Sequence, residues 1–328
     1  MQNILSKFKI PGDKVVLTLA LLLVFVLFNA LNSNFVSTAN FINISLAASL
    51  TGLVSIGMTY LIIGGQIDLS PGAIIAFSGV LAGILSTNFG LPFPLIVVII
   101  LFSGAMVGVA NTLMVTKIQL NPFIATLVTQ SVFRGFAYIL NDGRAVPIRD
   151  RAFSSFGTTR VAGIPIPVIL LVVSFIVFGV ILSKTTFGRS VYVVGGNKDA
   201  ARLAGLNPDL ITLKSFIITG MLCALSGVML AARMGSGQPA ASMGLEFDAI
   251  TAVILGGASF AGGVGSMLGT ALGVVILQSF NTGLIMVNVP TFWQFVARGA
   301  LLLIALSFDF IRKRTREKKL LEDSLKNV

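Results

Sequence analysis

The sequence predicts an all-α fold, a polytopic membrane helix bundle of about ten transmembrane helices, and three observations predict it. Mean hydropathy is +0.96, with 55% of residues apolar and 11% charged, where soluble domains carry about 25% charged residues. Uncharged runs recur at Val15 to Ile67, Leu69 to Thr116, Ile118 to Phe133, Val161 to Ser183, Ser215 to Ala232 and Ala249 to Ala297, several of them too long for one crossing. Turn chemistry divides the longest runs, at Asn29 to Asn40, Thr87 to Pro94, Gly256 to Gly265 and Asn288 to Thr291. Ten spans of about 20 residues need roughly 200 positions, and the chain has 328.

Taken in order, the first span, 15–31, follows Lys7, Lys9 and Lys14 and stops at the Asn-rich stretch. This start also resembles a signal peptide, yet no small-residue cleavage site follows and its loss would leave nine spans against the charge count. The second span, 42–64, ends on Gly64-Gly65, and the third, 70–87, opens on Ser70-Pro71, with Pro where a helix start tolerates a missing N–H. The fourth, 92–116, ends before Lys117, and the fifth, 122–140, opens on Pro122. A polar loop leads to the sixth, 165–183, and Lys184 closes it. Spans at 211–232, 247–258, 265–286 and 291–310 complete the set, followed by a basic tail at 311–328.

Charge orients the bundle. With the N-terminus in the cytoplasm, inside segments hold Lys7, Lys9, Lys14, Lys117, Lys184, Arg189, Lys198, Arg202, Lys214 and the seven basic residues after Phe310, sixteen of the twenty-three Lys and Arg. Arg144, Arg149, Arg151 and Arg160 fall outside. Positively charged residues collect on the cytoplasmic side, so both termini are expected there. The net charge of +11 is therefore read as membrane topology, with no nucleic-acid partner. The chain has no histidine and one cysteine, Cys223, which excludes a His/Cys metal site, a Ser-His triad and a disulfide. Gly79/Gly83, Gly104/Gly108 and Gly265/Gly269/Gly273 are spaced for close helix approach.

Three segments carry polar groups that apolar composition does not explain. The first, Gly64 to Gly72, joins two spans without an ordinary loop, and Asp68 or Ser70 suits the cap of the next helix. The other reading puts Gln66, Asp68 and Ser70 on a hydrophilic path, because ionisable groups at membrane depth are usually functional. The second runs from Lys184 to Lys214. It contains a short helix with Asn197 as N-cap, Asp199 in its first turn and Gly205 at its left-handed end. Apolar Leu203, Ala204 and Leu206 on such a surface helix suit a partner's groove. In the third, Gly235 to Gly265, Glu246 and Asp248 open a span where negative charge favours the helix dipole.

Together these segments resemble the permease subunit of bacterial ABC importers of the ribose type. The resemblance rests on Gly65-Gln66-Ile67-Asp68-Leu69-Ser70, Asn111, Pro122 to Leu127, Arg134-Gly135, the Gly188 to Gly205 segment, Glu246 to Gly257, and Asn281 to Leu284. It implies a single transmembrane permease domain over 1–310, with two related halves of opposite orientation, in the bacterial inner membrane. It implies a second permease copy or paralogue, a cytoplasmic ATPase carrying the ATP and Mg, and an extracytoplasmic sugar-binding protein. The chain itself would be non-catalytic and bind no cofactor. The 184–209 loop would be the coupling element, with Gly188, Arg189, Tyr192, Gly195, Gly196, Asn197, Asp199, Ala200, Arg202, Leu203 and Gly205 facing the ATPase. Candidates for the translocation path are Gln66, Asp68, Ser70, Asn111, Thr126, Arg134, Glu246, Asp248 and Asn281. Departures from the family pattern at Gln66, Pro71, Thr112, Ala204, Ala258 and Thr282 bear on which sugar is carried and on whether a paralogous permease completes the path.

The residues agree on energetics. No Gly-x-x-x-x-Gly-Lys-Ser/Thr loop occurs, so ATP phosphates are not cradled by this chain in the usual way. An ion-coupled secondary transporter is the alternative, and Asp68, Glu246 and Asp248 are its acidic candidates near the spans. Residues 61–65 echo 253–257, and Gly65-Gln66 echoes Gly237-Gln238. The two echoes imply different pairings of the halves.

Overall fold

A computed structural model describes residues 12–326. Lys7 and Lys9, and the side chains of Lys14, Arg312, Lys313, Arg316, Lys318, Lys319 and Lys326, lie outside the described residues. Thirteen helices are described: α1 (Gly12–Leu31), α2 (Thr38–Ile63), α3 (Pro71–Thr87), α4 (Phe93–Thr116), α5 (Pro122–Ile139), α6 (Arg151–Thr158), α7 (Ile166–Lys184), α8 (Thr186–Gly196), α9 (Lys198–Leu203), α10 (Pro208–Met234), α11 (Leu245–Leu255), α12 (Met267–Met286) and α13 (Thr291–Lys326). Each of the ten expected spans is a helix. Six are long and apolar enough to cross a membrane, namely α2, α4, α7, α10, α12 and α13 over Thr291–Ile311.

The span expected at 247–258 is found as α11 at 245–255. α11 has eleven residues, about 16 Å at 1.5 Å per residue and roughly half a hydrocarbon core. It begins just after left-handed Gly244, two residues before the expected start, and ends before Gly257 at φ 90°, three residues short of the expected end. The loop before α7 is also more ordered than expected, holding α6 and two-residue ladders. In these β1 (Val146–Pro147) pairs with β4 (Ser236–Gly237), and β2 (Arg160–Val161) pairs with β3 (Ile164–Pro165).

α2 and α10 are the most enclosed spans, and their neighbours repeat a pattern. α10 packs on α3 and α4, while α2 packs on α11 and α12; α3 in turn meets α5, and α11 meets α13. The small residues make these approaches possible. A side chain on Gly104 or Gly108 would run into the Gly220 or Phe216 carbonyl of α10, and one on Gly269 or Gly273 into the Gly256 or Ala252 carbonyl. Such close backbone packing replaces the hydrophobic drive that helices lack in lipid.

The two sequence echoes separate on geometry. After α2, Gly65 N–H donates to Ile62 and Gln66 N–H to Leu61; after α11, Gly257 N–H donates to Ile254 and Ala258 N–H to Val253. The first echo is thus a shared helix-ending turn. The second lies in corresponding connections of the repeated packing pattern, α2 to α3 and α10 to α11, although Gly65 is left-handed at φ 71° and Gly237 is extended in β4.

Candidate functional site

The connections 64–70 and 235–244 meet at the starts of α3 and α11. Gly72 has no room for a side chain because the Ser242 carbonyl and the Glu246 carboxylate occupy that space. Around this contact lies a buried polar cluster. Asp68 accepts from the Ser70 backbone N–H (2.8 Å) and from the Ser70 hydroxyl, an Asx-type turn. Asn111 on α4 donates to the Ser70 hydroxyl (3.3 Å) and accepts from Thr129 on α5. Thr126 accepts from Leu69 N–H (3.0 Å). Gln130 donates to Glu246 (3.0 Å), and Arg134 donates to the Pro239 and Ala241 carbonyls (2.8 Å each).

Several expected roles change. Ser70 occupies the N-cap position of α3 but its side chain makes no cap hydrogen bond. Asp68 reaches Ser70 instead of the next helix's first free N–H groups, because Ser70 is already in the helical region of φ/ψ. Arg134 donates through one amino group to the Pro239 and Ala241 carbonyls of the connection before α11. Asp248 lies 3.8 Å from Arg298 of α13. Among the described residues, no hydrogen bond ties Asn281 on α12 or the Gln66 side chain to the cluster, although the Asn281 and Gln66 side-chain oxygens are both buried without a partner. Ser70, Asp68, Asn111, Thr126, Arg134 and Glu246 do come together. Thr129 and Gln130 were missed, and the signal for them was the four-residue step from Thr126 through Gln130 to Arg134 along one face of α5.

A second assembly sits at the opposite end of α10. α9 is capped as expected: Asn197 accepts from the N–H groups of Asp199 (3.0 Å) and Ala200 (2.9 Å), and Gly205 has φ 82°. Leu203 is 91% exposed and Ala204 is exposed too, whereas Leu206 packs on the core. Lys198 and Arg202 each lie 3.7 Å from Asp209 at the start of α10; exposed pairs of this kind orient more than they stabilise. The stretch before Asn197 forms a helix of its own, α8, started by Thr185 accepting from Gly188 N–H (3.1 Å).

α8 is joined to the bundle backbone to backbone. Gly195 lies against the Ile63 carbonyl at the end of α2, and that carbonyl accepts from Gly263 N–H (2.8 Å) in the α11–α12 loop. Gly188 fits against the Ile181 and Leu182 carbonyls of α7. Tyr192 donates to Gly265 (3.0 Å), and burial raises its phenol above the ordinary value, keeping it a neutral donor. Phe187 stacks on Tyr60 of α2 with centroids 5.7 Å apart. α9 is thus connected through α8 to α2, α7 and the α11–α12 loop, with backbone atoms alone at the Gly195 joint.

Comparison with known proteins shows the family of the chain. A family model described as "Branched-chain amino acid transport system / permease component" matches residues 40–306. The chain is 38% identical over 294 residues to the ribose import permease protein RbsC of Bacillus subtilis (strain 168), covering 89% of this chain and 91% of that one. It is 36% identical over 295 residues to the L-arabinose transport system permease protein AraH of Escherichia coli (strain K12), 86% of each. With the xylose transport system permease protein XylH of the same strain it shares 31% over 341 residues, 85% of this chain and 87% of that one. No solved structure matches. The polytopic helical bundle with its exposed, rigidly mounted α9 thus belongs to the family of branched-chain amino acid transport system permease components.

Proposed function

We propose that this chain is the membrane-spanning permease subunit of an ABC sugar importer, moving a small sugar from an extracytoplasmic binding protein into the cytoplasm by alternating access. The relatives are named for ribose, arabinose and xylose, which supports a pentose or related sugar as cargo. The single structural observation that carries the reading is α9: a capped helix with Leu203 almost wholly exposed, held to α2 and to the α11–α12 loop through the Gly195 joint. An apolar side chain so exposed on so firmly mounted a helix suits a groove on a partner, and the ATPase is that partner. Hydrolysis of ATP with Mg takes place on the partner, and this chain contributes no catalytic group or cofactor.

The chain crosses the inner membrane ten times with both termini inside, α8 and α9 on the cytoplasmic face and β1–β4 outside. The repeated packing of α2–α5 and α10–α13 supports two related halves of opposite orientation. In that arrangement the starts of α3 and α11 point at each other near mid-membrane, where the polar cluster lies. A second copy or a paralogue completes the pathway, and the exposed apolar faces of α5 and α13 (Phe123, Leu127, Phe136, Phe295, Leu303) are available to it or to lipid. The test is reconstitution in liposomes with the cognate ATPase and binding protein, following uptake of D-ribose, L-arabinose and D-xylose. Uptake of at least one sugar that needs both ATP and the binding protein is expected. Uptake driven by an ion gradient without ATP would refute it.

A further inference from the structure

A cavity of about 290 Å³ opens beside the α10–α11 connection, lined by Leu50, Met234, Gln238, Ser242, Asp248 and Arg298 among others. It lies at the C-terminal end of α10, whose 27 residues put it about 40 Å along the helix from α9. On the proposed topology this is the side facing the binding protein. Its size is at the lower end of the range for small-molecule sites, about 300–1,000 Å³, which suits a monosaccharide better than an oligosaccharide.

The polar groups around it are incompletely satisfied. Ser242 Oγ and Arg298 Nε are buried without a hydrogen-bond partner, although buried polar groups almost always have one. Ser242 also has φ 58°, a left-handed conformation that non-glycine residues seldom adopt and that clusters at binding sites. Its carbonyl is wedged against Gly72, and Arg134 holds the preceding residues by the Pro239 and Ala241 carbonyls. The strained turn is therefore braced from the buried polar cluster. Asp248 and Arg298 stand 3.8 Å apart, so the carboxylate retains acceptor capacity beyond one loose ion pair. Phe295 lies beneath the Arg298 guanidinium, 5.9 Å from ring centroid to Cζ.

We infer that Ser242, Asp248, Arg298 and Gln238 form a subsite for the hydroxyl groups of a monosaccharide entering from the extracytoplasmic side. Asp248 accepts from one or two adjacent sugar hydroxyls, Arg298 donates through Nε, Ser242 does either, and the Gln238 amide supplies a donor or an acceptor. Leu50 and Met234 face the sugar's C–H groups. The inference rests on the sugar-permease reading, whereas these four residues as a hydroxyl-binding set go beyond it.

The experiment uses Ser242→Cys. The chain's one thiol, Cys223, is fully buried, whereas residue 242 lines the cavity and is only partly buried, so a small impermeant thiol reagent reports on position 242. Labelling is timed in the reconstituted importer with D-ribose, L-arabinose, D-xylose or sucrose as the probe, and ATP-dependent uptake of the three pentoses is measured for wild type, Ser242→Ala, Asp248→Asn and Arg298→Gln. Expected are labelling slowed at least threefold by the transported pentose but not by sucrose, and uptake reduced at least fivefold in Ser242→Ala, as for loss of a buried hydrogen-bonding group. Melting midpoints in detergent are taken alongside, and a variant that melts early is judged on protection of Ser242→Cys. If wild type moves a pentose but the sugar does not protect Ser242→Cys, or Ser242→Ala transports normally, the subsite is refuted and the permease reading stands. If wild type moves no sugar with ATP, the reading falls and the subsite with it.

Discussion

Replacing Gly195 by alanine tests how docking at α9 is transmitted. The added methyl would sit on the Ile63 carbonyl oxygen, with Gly263 N–H 2.9 Å away on the other side. All of these are backbone atoms, so no rotamer change relieves the overlap; α8 has to move away from α2, or the Gly263-to-Ile63 bond has to open. Overpacking a tight contact costs about 1–3 kcal/mol, and leaving a buried carbonyl without its donor costs about 1–3 kcal/mol. By either route the joint would lose about 1–3 kcal/mol, a sizeable part of the 5–15 kcal/mol that separates a folded domain from its unfolded chain. Gly196 is the internal control. A methyl there meets nothing within 4 Å, and alanine suits a helix better than glycine by up to about 1 kcal/mol. With the importer reconstituted, Gly195→Ala should lower the melting midpoint and hydrolyse ATP without matching uptake, while Gly196→Ala, which meets no clash, should not lower the melting midpoint. Wild-type stability and fully coupled uptake in Gly195→Ala would refute the joint.

Three further outcomes are expected. Asp68→Asn should keep most of its stability and measurable uptake, since an amide oxygen accepts equally from the Ser70 N–H and hydroxyl, whereas Asp68→Ala should lose about 1–3 kcal/mol by stranding a buried donor; a stable Asp68→Asn with no uptake would show that the charge itself is needed. Leu203→Asp should insert normally yet uncouple ATP hydrolysis from uptake, and a β-branched residue at Gly205 should do the same through about 1–2 kcal/mol of left-handed strain; normal coupling in both would remove α9 from the ATPase interface. For topology, a cysteine at Ser155 should react with an impermeant reagent from outside while cysteines at Lys198 and Lys318 should not, and outside labelling at 198 would invert the orientation.

Features that depend on neighbours within a few residues are legible along the chain. Asn197 as a cap, Gly205 as a left-handed stop, the helix starts at Pro71 and Pro122, and the placement of apolar segments follow from local backbone chemistry and helix period, and helices stand within a few residues of where those signals put them. The short span before Gly257 was legible too, expected at 247–258 and found at 245–255 between Gly244 and Gly257. Tertiary structure decided what depends on long-range approach. That Ser242 meets Gly72, that Arg134 on α5 holds carbonyls more than a hundred residues away, and that Gly195 lies on the Ile63 carbonyl depend on how α2 and α10 pack, and packing among glycine faces leaves no periodic trace of its partner. Asp68 illustrates the division: its turn position and its contact with Ser70 two residues on are local, whereas the Pro239 and Ala241 carbonyls that Arg134 meets are brought to it only by the packing of the α10–α11 connection.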